Sequence, residues 1–321
     1  MNDFTVSNQI PANKQIEGWN AKEWLARFDE AKRYRQTHSV RAEVFQSTVS
    51  IVQAGTYISQ NKKVVGLSNY LNPNCITDNV FYNREFVTPE NPQDNDTTYN
   101  VVKEDCLAYA KQLSDKDATD DLCVLNMASA SNPGGGVYGG AGAQEEYLFR
   151  CSDYYRFLFQ YAISFDCMQY GIPPCSQYRY PLDRNFGGIF SHGVTIFRGT
   201  ETCGYPLIDI PWQVNFIAVA ACNLSYDERG EQIPSYLIET TENKIRTILR
   251  IAIDNNQKRL VLGAFGCGAF GNPPKHIAEL FFKILHEADF LNRFKSVDFA
   301  ILPDHNDHKG NFEAFATQFV K

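Results

Sequence analysis

LCVLNMASASNPGGGVYGGAGAQEEYLFRC, residues 122–151, runs from buried-type strand residues (Cys123, Val124, Leu125) through a glycine-dense loop into a helix. Glycine tolerates positive φ and lets backbone amides approach a ligand with no Cβ in the way, so a glycine loop after a strand is a candidate phosphate cradle. The helix does not follow the glycines directly, as GxGxxG dinucleotide binding requires, and there is no GKS or GKT of a P-loop. For the loop alone, a plain flexible turn stays open as the alternative. Gln144, Glu145 and Glu146 open the helix, whose apolar face is Leu148, Cys151, Tyr155, Leu158, Phe159 and Ala162. Acids in a first helical turn complement the dipole, so capping explains them as well as catalysis does. Neighbours on a helix point about 100° apart, which keeps this pair from flanking one glycosidic bond as a two-carboxylate glycosidase requires. If they catalyse, one is the acid and the other assists. The dipole favours their charged forms, whereas burial and like-charge proximity would supply the raised pKa that a general acid needs near neutral pH.

Further along, VLGAFGCGAFGNPPKHIAELFFKIL (residues 261–285) repeats the strand, glycine loop and helix order, with Pro273 and Pro274 at the helix start. Gly263, Gly266, Gly268 and Gly271 place amides near a helix N-terminus, the physics of an anion site. Two such loops could hold a diphosphate without lysine. A Cβ added at Gly268 is expected to strain this loop. Cys267 lies where a thiol could be acidified, although a small residue chosen for space is the plainer explanation.

Around these loops, short β-type runs alternate with helical ones, the pattern of a sheet with crossover helices. Strands are expected at 99–102, 122–126, 193–198, 214–221, 259–264 and 296–302, and helices at 103–114, 145–163, 234–255, 274–288 and 309–320. Residues 19–59 suit two scaffold helices separated near Thr37 and His38. Residues 60–100 mix short apolar runs (Val64, Val65, Gly66, Leu67) with the turn-rich, linker-like stretch ENPQDNDTTYN (90–100), a loop or a boundary, and 166–192 is an insertion expected to lie over the sheet. A content of 44% hydrophobic and 21% charged residues places the chain among ordinary globular proteins. A formal net charge of −7 removes any global field for gathering nucleic acid, so a polyanion must be held locally. Nine scattered cysteines with no CxxC pair argue against a disulfide framework and a zinc site. The histidines and aspartates of residues 304–308 (DHNDH) are taken as solvated turn residues, with no metal assigned. With no basic-then-apolar leader and no run of about 18 apolar residues, the expectation is a soluble intracellular protein, cytoplasmic or, in a eukaryote, nuclear.

Gly134-Gly135-Gly136 followed by Gln144-Glu145-Glu146 resembles the GGG…QEE signature of poly(ADP-ribose) glycohydrolases. Residues 125–133, 187–191, 193–195 and 263–274 resemble the microbial-type branch, and the likeness covers roughly residues 40–320. It implies a macrodomain-like mixed α/β sheet flanked by helices, with accessory helices at the N-terminus. The organisation expected is an N-terminal helical extension over 1–95 and a core over 96–321, forming one continuous domain. The resemblance implies that Glu146 is the general acid for the departing ribose oxygen and that Glu145 orients ribose hydroxyls. It further implies that the Gly134, Gly135 and Gly136 backbone packs on the distal ribose and diphosphate. Amides among Gly266, Cys267, Gly268, Ala269, Phe270 and Gly271 would hold the diphosphate from its other side, and Phe270 would fix the ribose. Asp105 would pair with the adenine amino group, and Gln144 and Asn132 join the substrate-binding set. The substrate implied is poly(ADP-ribose) or ADP-ribosylated protein, cleaved from the chain end to ADP-ribose, with no cofactor, metal or membrane. An ADP-ribose reader would have no need of the Glu145–Glu146 pair, while a mono-ADP-ribosyl hydrolase stays open as an alternative. Gly142 stands where the family often carries a basic residue, and 166–180 looks longer than usual.

Overall fold

The computed structural model describes residues 18–88, 90, 95–118, 121–163, 169–302 and 310–320. The chain opens with α1 (Ala21–Arg33), whose N-cap Asn20 accepts from the Glu23 amide, and α2 (Thr37–Ala54), which ends at Gly55 in the left-handed region. A small antiparallel hairpin follows, β1 (Thr56–Ile58) with β2 (Val64–Gly66), and then β3 (Asn79–Tyr82) and β4 (Thr98–Val102). Next come α3 (Cys106–Lys116), β5 (Leu122–Met127), α4 (Gln144–Cys151) and α5 (Tyr155–Leu158). The remainder is β6 (Gly188–Arg198), β7 (Leu207–Val219), α6 (Ser235–Asp254), β8 (Arg259–Leu262), α7 (Pro274–Leu285), β9 (Ser296–Ala300) and α8 (Asn311–Phe319).

Seven strands form one mixed sheet in the order β3-β6-β7-β5-β8-β9-β4. β7, β5, β8, β9 and β4 are parallel, and β6 and β3 add antiparallel strands at one side. Because side chains alternate along a strand, β5 sends Leu122 and Val124 into the apolar layer shared with α1 to α5. It sends Cys123 and Leu125 into the layer shared with α6, α7 and α8. With both faces covered, the central strands read as continuous apolar runs, which is why they were visible in the sequence.

Several elements differ from the expected pattern, among them the unexpected β1–β2 hairpin and β7, which begins at Leu207 rather than 214. β3 lies where no strand is expected, yet it pairs with β6 as an edge strand, so the sheet takes a member from before residue 96. β6 begins at Gly188 rather than 193, because a register shift between Ser191 and Val194, with Gly193 at φ 69°, hides the continuity of the strand. The helix expected over 145–163 breaks after Cys151. Ser152 is extended and bridges Ile196, its hydroxyl bonds the Leu148 carbonyl at 2.6 Å, and Asp153 accepts from the Thr195 amide at 2.7 Å. Side chains of Ser and Asp that bond nearby backbone compete with helix propagation, and here they fasten the end of α4 to β6.

Candidate active site

Strands β5 and β8 are adjacent and parallel, so the loops leaving their C-terminal ends lie side by side, the usual place for a ligand in such sheets. The β5 loop wraps back over the first turn of α4. Glu145 Oε2 accepts from the Ser129 amide at 2.7 Å, and its Oε1 accepts from the Gly134 amide at 3.1 Å and Asn126 Nδ2 at 3.4 Å. Glu146 Oε1 accepts from the Gly136 amide at 2.8 Å, while its Oε2 is buried with no hydrogen-bond partner. Both residues are buried, Glu145 2% and Glu146 6% exposed, which matters because a carboxyl so enclosed is far from a solvated capping group. Burial pushes the Glu145 carboxyl up to about 8, against its three hydrogen bonds and assisted by the Glu146 charge.

The glycines permit this wrapping. Gly135 has φ 54°, and a Cβ there would stand 2.4 Å from Glu146 Oε1 and 3.0 Å from Glu145 Oε2. The Gly134 and Gly136 amides, expected to face a diphosphate, are used on the two acids instead. The anion donors lie in the second loop. Among the described residues, the amides of Gly266, Gly268, Ala269 and Phe270 have no acceptor within the protein. Cys267 and Gly271 differ: their amides close turns on Ala264 and Gly268. The expectation of strain at Gly268 fails, because positive φ falls at Gly266 and Gly271, and a Cβ on Gly268 would meet only open space.

Gln144 is turned toward β5: its Oε1 accepts from the Met127 amide at 2.9 Å and its Nε2 donates to the Leu125 carbonyl at 2.7 Å. Asp105 caps α3, accepting on one oxygen from the Leu107 and Ala108 amides and the Tyr147 hydroxyl, which leaves its second oxygen out of those bonds. Asn132 is exposed, and its carbonyl closes the turn onto Gly135. Phe270 packs partly buried on the α6–α8 layer, and its carbonyl accepts from the Leu224 amide. Cys267 is buried, its thiol near the Phe265 carbonyl, as a space-filling residue would be. Sequence reasoning passed over Asn126, Ser129, Arg150 and Arg41. A polar Asn126 inside an apolar strand and an Arg150 one turn after Glu146 were the available signals.

Residues 304–308 lie outside the described residues. Among the described residues no group of three or more His, Cys, Asp or Glu could hold a metal ion, and no helix is long and apolar enough to cross a membrane.

The mixed seven-stranded sheet, its flanking helices and the paired loops define a macrodomain-like α/β protein. Residues 45–199 match the family model described as microbial-type PARG, catalytic domain. The poly(ADP-ribose) glycohydrolase of Thermomonospora curvata bound to the inhibitor ADP-HPD is 28% identical, with a TM-score of 0.66 over 87% of this chain and 99% of that one. The Deinococcus radiodurans poly(ADP-ribose) glycohydrolase in complex with ADP-ribose is 35% identical, with a TM-score of 0.57 over 71% of this chain and 86% of that one. No curated protein matched the chain. The chain belongs to the microbial-type poly(ADP-ribose) glycohydrolase family, and thereby to the glycoside hydrolases.

Proposed function

We propose that the chain hydrolyses the ribose–ribose O-glycosidic bonds of poly(ADP-ribose) from the chain end, releasing ADP-ribose, with Glu146 as its single acid/base. The observation that carries this is the asymmetry of Glu146: one oxygen is fixed by the Gly136 amide and the other is buried without a partner. A carboxyl held by one edge has its second oxygen free to give a proton to the departing ribose oxygen as the bond to C1″ breaks, and then to take one from the attacking water. The unpaired amides of Gly266, Gly268, Ala269 and Phe270 suit the substrate diphosphate. That anion, clamped nearby, would stabilise the oxocarbenium-like charge at C1″ and remove the need for a second carboxylate on the opposite face. Glu145, buried beside the acid with its carboxyl pushed up to about 8 by burial, would bind and orient ribose hydroxyls. The free oxygen of Asp105 would take the adenine amino group, and Phe270 and the Cα faces of Gly134 to Gly136 would enclose the distal ribose. The ADP-ribose complex of the Deinococcus relative supports ADP-ribose as the product here. No step requires a metal.

The test is incubation with automodified poly(ADP-ribosyl)ated protein, following free ADP-ribose. Wild type should release it, and Glu146→Gln should lose about 10² to 10⁴ in rate while still binding ADP-ribose. Residual activity above a tenth of wild type would remove Glu146 from this role.

A further inference from the structure

Beneath the acid pair lies a charged cluster that the reaction scheme leaves unused. Arg150, on α4 one turn beyond Glu146, is fully buried. Its Nη1 donates to the Ala141 carbonyl at 2.7 Å and its Nε to the Tyr205 hydroxyl at 2.7 Å. The Ala141 amide donates to the Gly136 carbonyl at 3.2 Å, and the Gly136 amide donates to Glu146 Oε1 at 2.8 Å. A relay therefore runs from the guanidinium through the glycine loop to the Gly136 amide that fixes Glu146. Arg41, on α2, closes on the next residue, since its guanidinium occupies the space where a Cβ on Gly142 would stand. Glu201 joins the two arginines. It accepts from Arg41 at 2.9 and 2.7 Å and from the Tyr205 hydroxyl at 2.7 Å, and lies 3.9 Å from Arg150 Nη2.

Against the pull of burial, Arg41 holds the partly buried Glu201 carboxyl below its ordinary value, but stability alone does not account for Arg150. Two guanidiniums share one carboxylate, Arg150 Nη2 lacks a hydrogen bond, and a buried ion pair often gives no more stability than an apolar replacement. The cluster does fix geometry, because a planar guanidinium holds its donors in a rigid fork.

We infer that Arg150 is a positioning residue for the reaction: with Arg41 and Glu201 it clamps Ala141 and Gly142, and through Gly136 it sets which oxygen of Glu146 is tied and which faces the substrate. The inference rests on the proposed role of Glu146. Misplacement of a reacting group by about an ångström costs about 10²-fold, so the effect belongs in kcat.

The experiment compares Arg150→Met, Arg150→Lys and Arg41→Met with wild type, measuring kcat and KM on the polymer, ADP-ribose Kd and Tm. Arg150→Met should lower kcat at least tenfold with KM and Kd within about threefold. Arg150→Lys, able to reach the Ala141 carbonyl with an ammonium, should recover a large part of the loss. A purely structural role would lower Tm in both variants and leave kcat per folded molecule unchanged, which overturns the inference, as does a Lys variant no better than Met. If Arg150→Met does not fold, Arg41→Met decides: a drop in kcat of threefold or more with Kd retained supports the clamp, and unchanged kcat overturns it. Wild type that releases no ADP-ribose would instead sink the functional reading itself.

Discussion

Replacing Gly135 by alanine should disable the enzyme more than it destabilises the fold. The backbone there has φ 54°, and left-handed geometry costs a residue with a Cβ about 1–2 kcal/mol. The added methyl would stand 2.4 Å from Glu146 Oε1, so loop or carboxylate must yield by about an ångström to reach ordinary contact. Either movement breaks the 2.8 Å bond from the Gly136 amide. Leaving a buried donor or acceptor unpaired costs about 1–3 kcal/mol more. Together these remain below the 5–15 kcal/mol typical of a folded domain, so the protein should fold with a lowered Tm. The acid, however, would be displaced by a distance that costs about 10²-fold in rate. The assay is steady-state release of ADP-ribose from automodified polymer, with Tm by calorimetry. Gly139→Ala is the control, because a Cβ at Gly139 would meet nothing within 4 Å. A Gly135→Ala enzyme with kcat within threefold of wild type would refute the view that the glycine loop aims Glu146.

Three further outcomes are expected. Gly268→Val adds a side chain into open space on the proposed diphosphate loop, so Tm should hold while ADP-ribose affinity and rate fall together; unchanged affinity would move the diphosphate elsewhere. Glu145 keeps its proton in the folded state up to about pH 8 but loses it near its ordinary value when unfolded. Stability should therefore decline as pH rises between those values, by up to about 1.4 kcal/mol per unit. Denaturant titrations at pH 6.5 and 8 should show a steeper decline for wild type than for Glu145→Gln, and parallel declines would mean that Glu145 is ionised throughout. Activity should survive excess EDTA, and loss on chelation with recovery on adding a divalent cation would overturn the metal-free scheme.

The central strands and both glycine loops were legible because each is written locally, as an apolar run followed by glycines and a helix start. β3 was not: Val80, Phe81 and Tyr82 are strand formers, but a run of four residues with none fully buried shows no alternating pattern to mark it. The break after Cys151 was hidden for a related reason. The apolar spacing from Leu148 to Ala162 continues at helical period, and only the bonds of Ser152 and Asp153 to β6 interrupt it. In the site, the acid pair was legible as a motif, but the use of the first-loop amides was not. Nothing local says whether a glycine loop turns its N–H groups toward a ligand or toward its own helix. The Arg41 and Glu201 contribution depends on residues 160 positions apart meeting across the fold.

The Thr48 hydroxyl on α2 donates to the Arg150 carbonyl across 102 residues of chain, and Arg198 reaches back to Ser47 across 151. Contacts of such separation carry a loop-closure cost that local helix contacts do not. The two glutamates are neighbours in sequence, yet what aims them comes from both ends of the first two hundred residues. Arg41, Arg150 and Glu201 all precede β7, β8 and β9, so a growing polypeptide carries the whole cluster before it has the strands that complete the sheet around β5.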